Sequence, residues 1–161
     1  CKRVQSTLQN LRTKYSNEVQ FGYRHFPLPF HKEAEVLAQA VECARDQNKF
    51  WELQELFYNN ISNSANENEI MKLVKFAWVE DIPAFKLCLQ NGKYEQRVQK
   101  DIQDGVSLGI QGTPTFILGA YDPQSKTVSG KMFSGAVSEE KFTDVIEKFL
   151  ASTRTEAKLN Q

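Results

Sequence analysis

Cysteine is the side chain here best suited to covalent chemistry, and the chain has three, at positions 1, 43 and 88. Cys1 precedes Lys2 and Arg3 and stands at the head of a helical pattern, where cations and free helix amides favour a thiolate. The thiolate is the form that attacks a disulfide. Cys1 is therefore a candidate redox residue; the plainer reading is an unreactive cysteine at a chain end. No two cysteines make a Cys-x-x-Cys pair, and His25 and His31 fit no zinc spacing with them, so neither a metal nor another cofactor is expected. The second candidate is Gly112-Thr113-Pro114-Thr115-Phe116. A proline just before a buried strand removes a ladder donor. A simple loop-to-strand junction would explain it, and so would a cis-proline, because X–Pro bonds carry a small cis penalty. A cis bond would turn the Thr113 N–H and C=O outward, free to pair with an extended peptide. His25 reads as a satisfied core or edge residue rather than a base, and His31 as solvating a helix end. Phe50, Trp51 and Phe57 read as helix packing, and Lys49, Lys72 and Lys75 as a solvated face.

Positioning these residues is the task of the surrounding elements. Val4, Leu8, Leu11 and Tyr15 recur at helical spacing, so the chain opens in an amphipathic helix. Glu18 to Phe26 reads as a strand, stopped by Pro27 and Pro29. A helical block follows, with apolar stripes on Ala34–Ala44, Phe50–Phe57, Ile70–Ala77 and Tyr94–Val106. The Asn/Ser-rich stretch from Asn59 to Asn68 breaks it as a loop. Asp81 can cap a short helix through Leu89, with Gly92 ending it. The period then changes, with short strands at Thr115–Leu118 and Lys131–Ser134 around Asp122-Pro123. Ser138 caps a closing helix with Phe142, Val145, Ile146, Phe149 and Leu150 on its face. Beyond Ala151 the chain is polar and expected to fray.

Composition narrows the function classes. The 161 residues suit one domain, or a small domain with an elaborate insertion. Lys+Arg and Asp+Glu both number 20, which leaves no basic excess to hold a phosphate backbone, so nucleic acid is not an expected partner. No apolar run reaches the length of a membrane span.

Taken in order, several segments together resemble the DsbA-like thiol–disulfide oxidoreductases. They are Cys1-Lys2-Arg3 opening a helix, Arg24-His25-Phe26-Pro27-Leu28-Pro29-Phe30-His31 closing a strand, Lys49-Phe50-Trp51-Glu52 in the helical block, Gly112-Thr113-Pro114-Thr115-Phe116, and Ser134-Gly135-Ala136 before the last helix. The resemblance implies an α/β thioredoxin-like fold with an inserted helical domain. Residues 1–29 and 112–151 would form the thioredoxin-like domain, 30–111 the insertion and 152–161 a polar tail. It also implies that Cys1 is the second, resolving cysteine of a Cys-Pro-x-Cys motif whose nucleophile lies three residues upstream. The strand leading into that motif would lie upstream too, in the middle of the sheet. Thr113 and Pro114 match the cis-proline loop that faces the dithiol and binds substrate. The implied partners are protein thiols or disulfides and a redox partner protein, in a periplasmic or other extracytoplasmic compartment.

Cys43 and Cys88 fall in the helical block. They are either two buried free cysteines acting as small hydrophobes or a structural disulfide joining two inserted helices. The bridge fits the cysteine count, because Cys1 is then left for the upstream partner. It would place the Cα atoms about 4.4–6.8 Å apart and imply an oxidising compartment. The rival to a redox enzyme is a redox-silent module that holds peptides at the proline loop; the residues upstream of Cys1 decide between them. Relatives acting on glutathione conjugates usually lack the resolving cysteine, so Cys1 argues against that class. Oxidase, reductase or isomerase is not legible, nor are the substrates or the oligomeric state.

Overall fold

A computed structural model describes residues 1–61 and 65–159 of the chain. A 3-10 turn, Lys2–Val4, leads into α1 (Gln5–Lys14). Five helices follow: α2 (Ala34–Arg45), α3 (Phe50–Asn60), α4 (Glu67–Phe76), α5 (Ile82–Gln90) and α6 (Glu95–Ser107). Strands β1 (Thr115–Asp122) and β2 (Thr127–Ser134) form an antiparallel hairpin, and α7 (Glu139–Leu159) closes the chain.

Local chemistry sets most of these boundaries. Asn66 and Glu69 make a reciprocal capping box on α4, and Asp81 accepts the Ala84 N–H at 2.8 Å to start α5. Gly92, at φ 59°, ends α5, with the Lys93 N–H returning to the Cys88 carbonyl at 3.1 Å. Part of the Asn/Ser-rich loop, 62–64, lies outside the described residues.

The chain divides into two units. The first holds Cys1, Arg3–Phe21 and Gly112–Gln161; the second holds Lys2 and Gly22–Gln111. In the first, Val4 of the 3-10 turn, Leu11 of α1, Tyr15 just past α1, and Phe142 and Ile146 of α7 form an apolar cluster, and Phe116, Leu118 and Phe133 from one face of the hairpin pack on it. Phe142 meets Phe116 edge-to-face at 4.8 Å between ring centroids. The Tyr15 hydroxyl donates to Glu147 at 2.7 Å, joining α1 to α7 at its polar margin. In the second unit α2 to α5 surround Val41, Ala44, Leu53, Val74 and Phe85, all nearly or fully buried.

Three expectations change. Glu18–Phe26 is not a paired strand. Its side chains alternate between half-buried or buried and exposed from Val19 to His25, as a strand's would, but the segment lies in no ladder among the described residues, where β1 and β2 pair only with each other. The hairpin strands are longer than their apolar cores suggest. The register continues past Leu118 through Gly119 opposite Gly130 to Asp122 opposite Thr127, where Asp122 accepts from the Gln124 N–H and the Ser125 hydroxyl. The polar end does not begin to fray at Ala151: α7 runs to Leu159, with Arg154 paired to Glu18. The first unit's leading piece ends at Phe21, and residues 24–25 bond to α2 and α6.

Candidate functional site

Cys1 is exposed and is the free cysteine of the chain. Its carbonyl accepts the Val4 N–H at 3.1 Å, closing the turn that feeds α1. Lys2 and Arg3 are exposed. The first turn of α1 holds no acidic residue and no side-chain cap, so no carboxylate there offsets the positive helix end. Val4, 1% exposed, anchors this corner in the first unit's apolar cluster.

Phe116 packs on the same cluster from the other side of the sequence. Just before it, the Thr113–Pro114 peptide bond is cis. The loop is pinned on both flanks: the Pro114 carbonyl accepts the Gly135 N–H at 2.8 Å, and the Thr115 hydroxyl donates to the Gly112 carbonyl at 2.7 Å. That hydroxyl also hydrogen-bonds the Ser134 hydroxyl at 2.8 Å. Among the described residues neither the N–H nor the C=O of half-buried Thr113 has a hydrogen-bond partner. A backbone donor and acceptor held still and unpaired form a docking edge for an extended chain.

Cys43 of α2 and Cys88 of α5 are joined, S–S 1.98 Å and Cα–Cα 5.9 Å. Both are buried in the second unit's core, so the bridge is a cross-link between helices, away from solvent.

His25 is buried and bonded. Its Nε2 lies 2.8 Å from Glu42 Oε1, and its backbone N–H donates to Asp101 Oδ2 at 2.9 Å. Arg24 reaches Asp101 at 2.7 Å and Asp104 at 3.2 Å. Arg45 donates to Glu42 Oε1 at 2.9 Å. Arg97 Nε stands 3.2 Å from Glu42 Oε2, an ion pair without hydrogen-bond alignment. Together these contacts fasten residues 24–25 to α2 and α6. The Phe26 ring fills the place beside Gly105 of α6, where a Cβ would lie 2.6 Å from it. Tyr23 shares a 2.7 Å hydrogen bond with Tyr58 of α3; burial pushes both phenols up, above the ordinary tyrosine range. Sequence reasoning missed Glu42 and Asp101 as members of this network. The available signal was a glutamate on the same helix stripe as Ala38 and Val41, a place where an acid needs partners.

His31 is exposed near the start of α2, with its ring 4.6 Å from that of Phe30. Lys49 pairs loosely with Glu52 at 3.8 Å. Lys72 and Lys75 are exposed on α4. Among the described residues no helix is long and apolar enough to cross a membrane.

Against known proteins, residues 1–148 match the profile of a family described as thioredoxin. Among curated sequences the chain is 28% identical over 160 residues to a Na(+)/H(+) antiporter NhaA 1 of Salinispora arenicola, covering 96% of this chain and 22% of that protein. It is 24% identical over 156 residues to the Na(+)/H(+) antiporter NhaA of Herminiimonas arsenicoxydans, covering 97% of this chain and 23% of that protein. The chain thus spans under a quarter of the length of these relatives. Among solved structures, Proteus mirabilis ScsC in a compact conformation superposes with a TM-score of 0.73 at 19% identity, over 95% of this chain and 77% of that one. Wolbachia pipientis alpha-DsbA1, in a form with two cysteines replaced by alanine, gives 0.73 at 19% identity over 98% and 84%.

Proposed function

The chain belongs to the thioredoxin family and has the fold of its DsbA-like members, and from that premise we propose that it works in a thiol–disulfide oxidoreductase acting on protein thiols or disulfides outside the cytoplasm. Cys1 is the resolving thiol. The nucleophile is a cysteine three residues before it, in a Cys-Pro-x-Cys motif. In the reducing direction the upstream thiolate attacks a substrate disulfide: a protein–substrate S–S bond forms, and the other substrate sulfur leaves and takes a proton. The Cys1 thiolate then attacks the upstream sulfur, a disulfide closes between the two motif cysteines, and the second substrate sulfur leaves as a thiol. The substrate gains two electrons and the motif loses two. Oxidation of a substrate is the reverse, and a redox partner protein resets the pair. Thr113 and Pro114 hold the substrate backbone beside the sulfurs.

One observation carries this reading. The exposed Cys1 at a helix head and the unpaired backbone of Thr113 are both tied to one apolar cluster, through Val4 and Phe116. The Cys43–Cys88 bridge supports an oxidising compartment, where such cross-links persist. That far longer antiporter chains contain a matching stretch supports reading this segment as a module of larger proteins.

The test uses the protein extended through its upstream motif, with and without Cys1→Ser, on a disulfide-bonded peptide. The wild type should turn over, and the variant should accumulate a mixed disulfide visible by mass spectrometry under non-reducing conditions. Equal turnover by both would show that Cys1 does not resolve the intermediate. An extended, folded protein that has both cysteines, binds peptide and transfers no electrons would instead be a redox-silent binding module.

A further inference from the structure

Helix α4 carries a second surface with no part in disulfide exchange. Its inner face, Ile70, Leu73 and Val74, is core. Its outer face and the following turn display Met71, Lys72, Lys75, Phe76 and Trp78 around an open hollow of about 530 Å³. Phe76 is 60% exposed and Trp78 77% exposed. Trp78 occupies the position just after the helix C-cap, with φ 59°. There the Trp78 N–H bonds to the Lys75 carbonyl at 3.0 Å, and the Val79 N–H to the Val74 carbonyl at 3.4 Å. This is the left-handed helix stop that glycine fills at least cost. A tryptophan there bears a backbone penalty and gains little burial, so the local fold gives no reason for it. Such an outlier points toward function.

The charges say what the surface fits. Lys72 lies over the Phe76 ring, 5.9 Å from its centroid, and among the described residues neither Lys72 nor Lys75 has a carboxylate within ion-pair distance. The occupant is therefore anionic beside something apolar. A peptide is poorly served, because the lining comes from one helix and its end. The helix spends its amides internally, leaving no ladder edge, and among the described residues no second helix lines the hollow. A bilayer surface asks for neither: tryptophan and phenylalanine sit at the headgroup boundary while lysine stems reach lipid phosphates. We propose that the α4 face of Lys72, Lys75, Phe76 and Trp78 docks onto an anionic lipid bilayer and lies on it without crossing it.

The experiment is co-sedimentation of the protein at low salt with phosphatidylcholine vesicles and with vesicles of equimolar phosphatidylcholine and phosphatidylglycerol. Binding should require phosphatidylglycerol and weaken as salt rises. In a Trp51→Phe background, Trp78 emission should shift to the blue on binding. The double variant Lys72→Glu/Lys75→Glu, whose sites are exposed and whose circular dichroism should match the wild type, should bind about thirtyfold more weakly or worse. Equal binding to both vesicle types, unchanged affinity in the charge-reversed variant, or no binding at all would overturn the proposal. So would a preference for a polyglutamate peptide over vesicles, which would make this an acidic-peptide site. A dimer abolished by Trp78→Ser would make it a contact between copies.

Discussion

Asp46, just past α2, accepts from Lys93 at 2.8 Å and from Tyr94 at 2.5 Å. Partial burial acts to raise its pKa, but the two hydrogen bonds and the Lys93 charge outweigh that and hold it below the ordinary aspartate range. A carboxyl lowered in the folded state adds stability that is complete above the unfolded value of about 3.9 and is lost as pH falls through the folded value. Asp46→Asn should therefore melt below the wild type at neutral pH, with the gap closing in strong acid. Thermal melts across that range check it, and a constant gap would mean the loss is not ionic. At this same scale Cys1 and Thr113-Pro114 stand out in the sequence, because a cysteine heading a helix and a proline before a strand are uncommon, and the cis bond at Thr113–Pro114 matches the cis-proline reading of that loop. The Glu42–His25–Asp101 network was not legible, since Glu42 on an apolar stripe signals only that it needs partners, and those partners lie far away in sequence.

Among the elements, α4 and α5 end in the same way with different residues at the turn, Trp78 in one and Gly92 in the other, both at φ 59°. Trp78→Gly should remove a left-handed penalty of about 1–2 kcal/mol and raise the melting temperature, while abolishing any lipid binding. A fall in melting temperature would show that the exposed indole packs in a way that stabilises the fold. Gly105 has the opposite constraint. Alanine is the better helix former by about 1 kcal/mol, yet its Cβ would meet the Phe26 ring at 2.6 Å. Overpacking of this kind costs about 1–3 kcal/mol, so Gly105→Ala should destabilise in chemical denaturation, and pairing it with Phe26→Leu should recover part of the loss. The helices were readable because their apolar stripes and caps are local signals. Residues 19–25 carry the alternation of a strand, but whether a strand pairs depends on a neighbour, and no run of residues encodes its neighbour. The hairpin was underestimated for a related reason: Gly119, Gly130 and the polar tip contribute hydrogen bonds to the ladder and nothing to an apolar pattern.

At the scale of the whole molecule, the Cys43–Cys88 bridge closes a separation of 45 residues wholly inside the second unit. The chain-entropy treatment gives such a cross-link about 4 kcal/mol. Cys43→Ala/Cys88→Ala should lower the denaturation midpoint of the second unit, and hydrogen exchange should quicken first in α2 and α5. Exchange that quickens equally in α1 and α7 would mean that the two units unfold as one. The likeness to known folds was legible across nearly the whole length because it rests on the order of several motifs. The partners of Tyr23 to Phe26 on α2, α3 and α6 are named by no local rule. The interrupted first unit has a further consequence, for the order of assembly. Its two pieces, Arg3–Phe21 and Gly112–Gln161, are severed in sequence by the whole second unit, so α1 and α7 meet only after a long loop has closed. Closure of a floppy loop is entropically costly, whereas the helices of the second unit find their neighbours nearby in sequence. The interior of the chain should thus become protected before its ends, and pulse-labelled exchange during refolding should mark α2 to α5 ahead of α1 and α7. During synthesis α1 would thus wait for α7 while the whole second unit is made between them.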